Sequence, residues 1–432
     1  MAAPPASDEL ELARARCREL HDRVAAYTTT LPRQPALRSL LRLVAAELRF
    51  LDSSRPDHAA AAPRPLSSNL PHLAALHVLL THPAVRCPSR LAPLPGVDFA
   101  CAFRSRPAWA LLSARNPSRL AWDPAPDGLR SRVAAALDAA SRAPPATRPE
   151  KLLLVFARGV GADPARGLAE EFGAVEIDLL VDFVGEATDN DDEGWVSVSF
   201  SPNEDVRSFK AFEIVVAEGG SEIISPPPPP PLPEVEVNED NGESLEGEFS
   251  NFVGKMRMGS RDLVNLDTTA LIAIVSGISN GGVEKLMSIP EAETRARFKC
   301  NYKFVIDQAH SELQSPTLVE LGKAVDGKKC IICETVISEF KEIVSMCGGP
   351  EEKTRSSQLL KRLIAVPDSP SARMMDLPTT RKLAMKNKVV FGTGDRWRAP
   401  TLTANMGFVR AVSQSGMPLL TIEHRPRALI GL

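Results

Sequence analysis

From residue 251 onward, short apolar runs alternate with longer amphipathic ones. This alternation limits the folds open to the chain more than any other feature. Leu263–Leu266, Cys330–Cys333, Ala365–Pro367, Val389–Phe391, Thr401–Thr403 and Leu419–Glu423 read as strands. Between them Thr268–Ser279, Glu293–Gln308, Thr317–Val325, Glu334–Met346, Glu351–Ile364 and Asn405–Gln414 carry helical spacing. Strands separated by helices cannot pair as hairpins, so they form a parallel sheet with helices packed on its faces. Residues 251–432 are therefore expected to be an α/β domain.

The N-terminal part reads differently. Leu10, Ala13, Cys17, Leu20 and Val24 recur at helical spacing, as do Leu37, Leu40, Leu41, Val44, Leu48 and Leu51, with Pro32 and Pro35 between the two sets. That pattern predicts a helical hairpin. A proline-rich loop follows at 55–68, then an apolar helix through Leu80. Val97–Trp122 alternates and is expected to be a hairpin or meander turning near Pro107. A helix at 130–142 precedes a small α/β unit: strand Lys151–Ala157, helix Pro164–Phe172, strand Val175–Leu180. Gly159-Val-Gly161 lacks the Lys and Ser/Thr of a phosphate loop and reads as an ordinary turn.

Residues 186–250 differ again. Arg207 and Lys210 are their only basic residues against two long acidic runs, and prolines crowd 226–233. Such a tract favours a stiff polyproline II spacer, or a ligand for proline-binding modules of partner proteins. The segment also holds a candidate strand pair, Trp195–Phe200 and Ala211–Ala217. The division expected is 1–185, a helical plus small α/β domain; 186–250, an acidic, proline-rich linker; and 251–432. The net charge of −3 thus hides two basic bodies around an acidic strap. Basic bodies suit a polyanionic partner such as RNA, or else the strap simply balances charge. Every basic residue before Lys151 is arginine, which together with the Ala and Pro richness fits coding bias. No apolar run approaches the ~20 residues of a membrane span, so no membrane partner is expected. Asp8, Glu9 and Glu11 argue against a targeting leader. Seven cysteines without framework spacing fit an intracellular, cytoplasmic or nuclear, location.

Ligands of open parallel sheets sit beyond the carboxyl ends of the strands. Asp267 follows LVNL directly, Glu339 lies one and a half turns into the helix after CIIC, and Asp395 follows VVFGTG. Asn405 follows TLTA in the same way. If these strands are neighbours, the four side chains converge. Converging carboxylates repel, and an oxygen-seeking Mg²⁺ or Mn²⁺ relieves that repulsion. A metal so held can activate water for in-line phosphoryl displacement. Each residue also has a plain structural use: Asp267 as a helix N-cap, Glu339 on a solvated face, Asp395 in a turn.

The order LVNLDTTALIAIVS, CIICETVISEFKEI, IAVPDS, VVFGTGD and TLTANMGFVRAVSQSGMPLLTI resembles a PIN-like nuclease domain. Asp267-Thr268, Val336-Ile-Ser-Glu339-Phe340 and Thr403-Ala-Asn405-Met-Gly-Phe408 carry the likeness. More closely, VNLDTTALIAIVS, FGTGD, LTANMGFVRA and PRAL at 426–429, with SNLPHLAAL and VDFACAF earlier, resemble an uncharacterised eukaryotic two-domain family. The C-terminal half of that family is a PIN-like domain of unknown function. The resemblance implies a three-layer α/β/α parallel sheet at the C-terminus. It also implies a metal-dependent ribonuclease-like activity with Asp267, Glu339 and Asp395 as ligands of Mg²⁺ or Mn²⁺, assisted by Asn405 and Thr268. Asn405 stands where active members carry Asp, and it brings no charge. The alternative is a catalytically degenerate module that serves as an RNA- or protein-binding scaffold.

Cys330 and Cys333 form a C-x-x-C with no second pair or nearby histidines to complete a zinc site, and read as buried free thiols. His72, His77 and His82, five apart, read as surface or loop residues.

Overall fold

A computed structural model describes residues 6–30, 35–54, 68–89, 91–92, 96–123, 128–179, 209–216, 248–256 and 262–431. The acidic runs, the proline tract and the candidate strand Trp195–Phe200 lie outside them. The chain divides into two compact units, 1–224 with Gly416–Pro418, and 225–415 with 419–432.

The first unit is built on a mixed sheet of β1 (Val85–Arg86), β2 (Phe99–Phe103), β3 (Arg106–Ser113), β4 (Lys151–Phe156), β5 (Val175–Ile177) and β6 (Lys210–Val215), ordered β1-β2-β3-β4-β6-β5. β3 and β4 run parallel; the other pairs are antiparallel. β6 comes from within the expected linker, so the sheet of this unit reaches past residue 185. The hairpin β2–β3 turns at Arg104 and Ser105, both at positive φ (46° and 64°), the two-residue geometry that matches strand twist. Pro107 lies two residues past this turn, as expected, as the second residue of β3.

Successive residues of β4 face opposite sides. Leu153 and Val155 pack against the helices Ala6–Thr30, Pro35–Ser53 and Leu70–Leu80. Leu152, Leu154 and Phe156 pack against Leu129–Arg142 and Ala162–Phe172. Both faces are covered, which is why KLLLVF is apolar throughout rather than alternating.

The second unit holds β7 (Leu263–Leu266), β8 (Lys329–Cys333), β9 (Ile364–Val366), β10 (Thr401–Thr403) and β11 (Thr421–Glu423) in one all-parallel sheet, ordered β11-β10-β7-β8-β9. Glu334–Cys347 and Pro350–Arg362 join β8 to β9, Ala372–Asp376 and Met385–Arg396 join β9 to β10, and Met406–Gln414 joins β10 to β11. The chain grows outward from β7 on one side, then crosses back to β10 and grows on the other. With right-handed crossovers the two sets of helices take opposite faces, a three-layer α/β/α arrangement.

One expected strand is a helix. Val389–Phe391 lies within Met385–Arg396. Its β-branched run and flanking glycines resemble a buried strand, but the glycines serve helix packing. A Cβ on Gly394 would come within 2.6 Å of Thr401 Oγ1 and 2.7 Å of Asn265 Nδ2, and one on Gly392 within 2.8 Å of Pro370 Cβ. The FGTGD stretch is thus a helix pressed close to the sheet.

Candidate functional site

The strand order reverses between β7 and β10, the switch point beyond which ligands of such sheets usually bind. Polar residues face one another across this seam. Asn265 pairs in register with Thr401, and its Nδ2 donates to Thr401 Oγ1 at 3.0 Å. One step on, Thr403 Oγ1 donates to Asp267 Oδ2. Asp267 also caps the helix Thr268–Val275, with Oδ1 accepting from Ala270 N–H at 2.9 Å and Thr269 Oγ1 at 2.6 Å. The plain structural use considered for this residue is therefore realised. Burial raises the Asp267 carboxyl above the usual carboxylate range, and these hydrogen bonds oppose the rise.

That direction gives a pH dependence. A group whose folded pKa is raised holds its proton more tightly when folded, so folding stability falls as pH rises from about 4 towards the folded pKa. Asp267→Asn cannot ionise. The stability of the variant relative to wild type is therefore expected to improve steadily from pH 4 upward, read from urea midpoints of both proteins. A constant difference across that range would contradict the assignment.

Glu339 is brought to the same rim. Thr268 Oγ1 donates to its Oε2 at 2.5 Å, so consecutive threonines reach the two acids. Its other oxygen lies 2.7 Å from Lys386 Nζ, at the start of the helix Met385–Arg396. Asp395 sits at the far end of that helix, nine residues on and about 13 Å along the axis at 1.5 Å per residue. There Arg373 binds it through two parallel bonds of 2.8 Å and Ser371 Oγ donates at 2.6 Å. The structure thus separates Asp395 from Asp267 and Glu339. Convergence fails for Asp395 because VVFGTGD is helical, whereas the carboxyl end of a strand would have met the rim. Asn405 does follow β10, but its Oδ1 caps the next helix by accepting from Phe408 N–H at 3.2 Å.

Sequence reasoning missed several neighbours. His424, buried just after β11, places Nε2 3.4 Å from Thr269 Oγ1. Its Nδ1 meets the Arg425 carbonyl at 2.9 Å and so carries the proton of the neutral ring. Burial lowers its pKa. The polar residue inside LVNL and the Thr-x-Thr of β10 were the available signals for the seam. The PRAL stretch proves structural: Arg427 Nε pairs with buried Glu312 at 2.6 Å, and Ala428 N–H donates to Gln308 at 2.7 Å. Cys330 and Cys333 are buried free thiols, each pushed up to about 12 by burial. His77, expected on the surface or in a loop, is buried because the helix Leu70–Leu80 is enclosed almost all round, while His82 lies in the loop beyond that helix and is also buried.

The donor set does not suit a divalent cation. Asp267 Oδ1 already has two donors and Oδ2 one, Glu339 faces an ammonium, and Asn405 is committed to its cap. Among the described residues no three of His, Cys, Asp and Glu are grouped to hold a metal. No helix among them is long and apolar enough to cross a membrane.

The chain carries a DUF1308 domain, described as a protein of unknown function, whose family model matches residues 264–431. That span takes in all five strands of the second sheet save the first residue of β7. No solved structure matches the chain.

Proposed function

We propose that the second unit is a PIN-like domain that acts as an RNA- or protein-binding scaffold and does not cut. Support for the PIN-like reading comes from the five-stranded parallel sheet, from Asp-Thr at the end of its first strand, and from a second acid in the helix after β8. One observation carries the non-cutting reading: Lys386 Nζ stands 2.7 Å from Glu339 Oε1, so this acid already has a cationic partner. With that ammonium and the Thr268 hydroxyl as partners, Glu339 has its charge balanced without a metal. Asp267, filled by hydroxyl and amide donors, then works as a cap and a cross-strand partner.

Purified protein is expected to leave single-stranded RNA intact with Mn²⁺ or Mg²⁺, at a rate equal to that of Asp267→Asn prepared in parallel. Cleavage that needs the metal, and that falls a hundredfold or more in Asp267→Asn, would restore the nuclease reading.

A further inference from the structure

The two stretches of the first unit that carry the family likeness, SNLPH and VDFACAF, meet at one cleft. It has a volume of about 720 Å³, within the range of small-molecule sites. It opens beyond Ser113, at the carboxyl end of β3, where β3 and β4 run parallel. Its polar lining includes Asn69, His72, Asp98, Ser113, Arg115 and Arg132, and Pro71 and Val97 add apolar wall.

Several features mark it as built to receive something. Buried Glu47 accepts from Ser68 Oγ at 2.8 Å and Asn69 N–H at 2.9 Å, fixing the start of the helix Leu70–Leu80 at the cleft edge. Asp98 is committed, Oδ2 to Leu112 N–H at 2.6 Å and Oδ1 to His72 Nε2 at 3.3 Å. The two arginines are not. Neither guanidinium forms a hydrogen bond or close ion pair with a described residue. Burial and the neighbouring Arg115 charge both press Arg132 below the usual guanidinium range, with Asp98 opposing. Ser113 is 8% exposed and its hydroxyl has no hydrogen-bond partner among the described residues. Two like charges held together beside an unused buried donor are relieved by an anion with several acceptor oxygens.

We propose that this cleft binds a phosphomonoester of about nucleotide size, its phosphate held by Arg115 and Arg132 with Ser113 as a further donor. The cavity is too large for phosphate alone, and its apolar wall suits an organic body. This assignment concerns the first unit and stands whether or not the second unit cuts RNA.

Calorimetric titration of the full chain tests it, with adenosine 5′-monophosphate, adenosine and inorganic phosphate as probes. The monophosphate is expected to bind at least tenfold more tightly than adenosine, and more tightly than phosphate. Arg115→Ala and Arg132→Ala are each expected to weaken it about tenfold or more, while Arg166→Ala, on an exposed helix face beside Asp163, leaves it unchanged. Arg115 is exposed, so its variant removes charge without disturbing the core. A short oligoadenylate with a 5′-phosphate, compared with its 5′-hydroxyl form, separates the sources. Phosphate-dependent binding tighter than that of the mononucleotide makes a strand end the ligand; equal or weaker binding makes it a free nucleotide. Equal affinity for adenosine and its monophosphate, no binding of any phosphorylated probe, or unchanged affinity in both arginine variants would overturn the proposal.

Discussion

Replacing Glu352 with alanine is expected to remove about 3–5 kcal/mol of stability from the second unit. Glu352 is 0% exposed, in the first turn of the helix Pro350–Arg362. Its carboxylate accepts four backbone N–H groups. Gly277 and Ile430 donate to Oε1 at 2.8 and 3.0 Å, and Gly349 and Gly431 donate to Oε2 at 3.0 Å each. One side chain thus ties the turn after the β7 helix, the start of its own helix, and the segment after β11. Alanine leaves four backbone donors unpaired, three of them fully buried, and a void beside them. Glu352→Gln keeps one oxygen and turns an NH₂ towards two donors, so a smaller but still large loss is expected. Denaturant unfolding measures the loss, and hydrogen exchange at Ile430 and Gly431 locates it. A loss below about 1 kcal/mol for the alanine variant would show that water or rearrangement serves these amides equally well.

The second large effect is acid sensitivity of the first unit through His77. The ring is buried in the helix Leu70–Leu80, edge-on to Tyr27 at 5.4 Å, and its Nε2 has no hydrogen-bond partner among the described residues. Burial first, and the Arg23 charge second, lower its pKa from 6.5 to about 4. The unfolded chain takes up a proton near pH 6.5 that the folded chain refuses until about pH 4. Stability therefore falls as pH drops through that window, by roughly 3 kcal/mol when complete. His77→Phe removes the titration, and its unfolding midpoint is expected to decline less between pH 6.5 and pH 4. The ring resonances of His77 should titrate near pH 4 in the folded protein. Parallel acid limbs for variant and wild type would reject this account.

The elements most legible in the sequence are those whose apolar pattern and flanking cues agree. Leu263–Leu266, Thr317–Val325 and Thr401–Thr403 begin and end where periodicity places them. A short apolar run fits a buried strand and a buried helix equally, and Val389–Phe391 is too short for its periodicity to separate the two. Histidine spacing gives no guide to exposure at His77, since a helix enclosed on nearly every side has no exposed face to assign. The capping use of Asp267 was visible in Asp-Thr at a strand end. The partners that decide its chemistry were not: Thr403 lies 136 residues away and Lys386 is 47 residues from Glu339. Nothing local marks Glu352 as buried either, since an acidic residue in a first helical turn is ordinary on an exposed surface.

The polar seam between β7 and β10 bears on how the second unit assembles. Its strands are three and four residues long and join positions far apart in the chain, so the central pairing carries a large loop-closure entropy and should form slowly. With Leu402 the sole apolar residue of β10, apolar contact alone fixes the register of this pairing only weakly. The Asn265–Thr401 and Asp267–Thr403 pairs penalise a slipped alignment, because it would cost the Asn265 amide its acceptor on Thr401 and Asp267 Oδ2 its donor on Thr403. Fidelity of alignment is then what these four side chains supply.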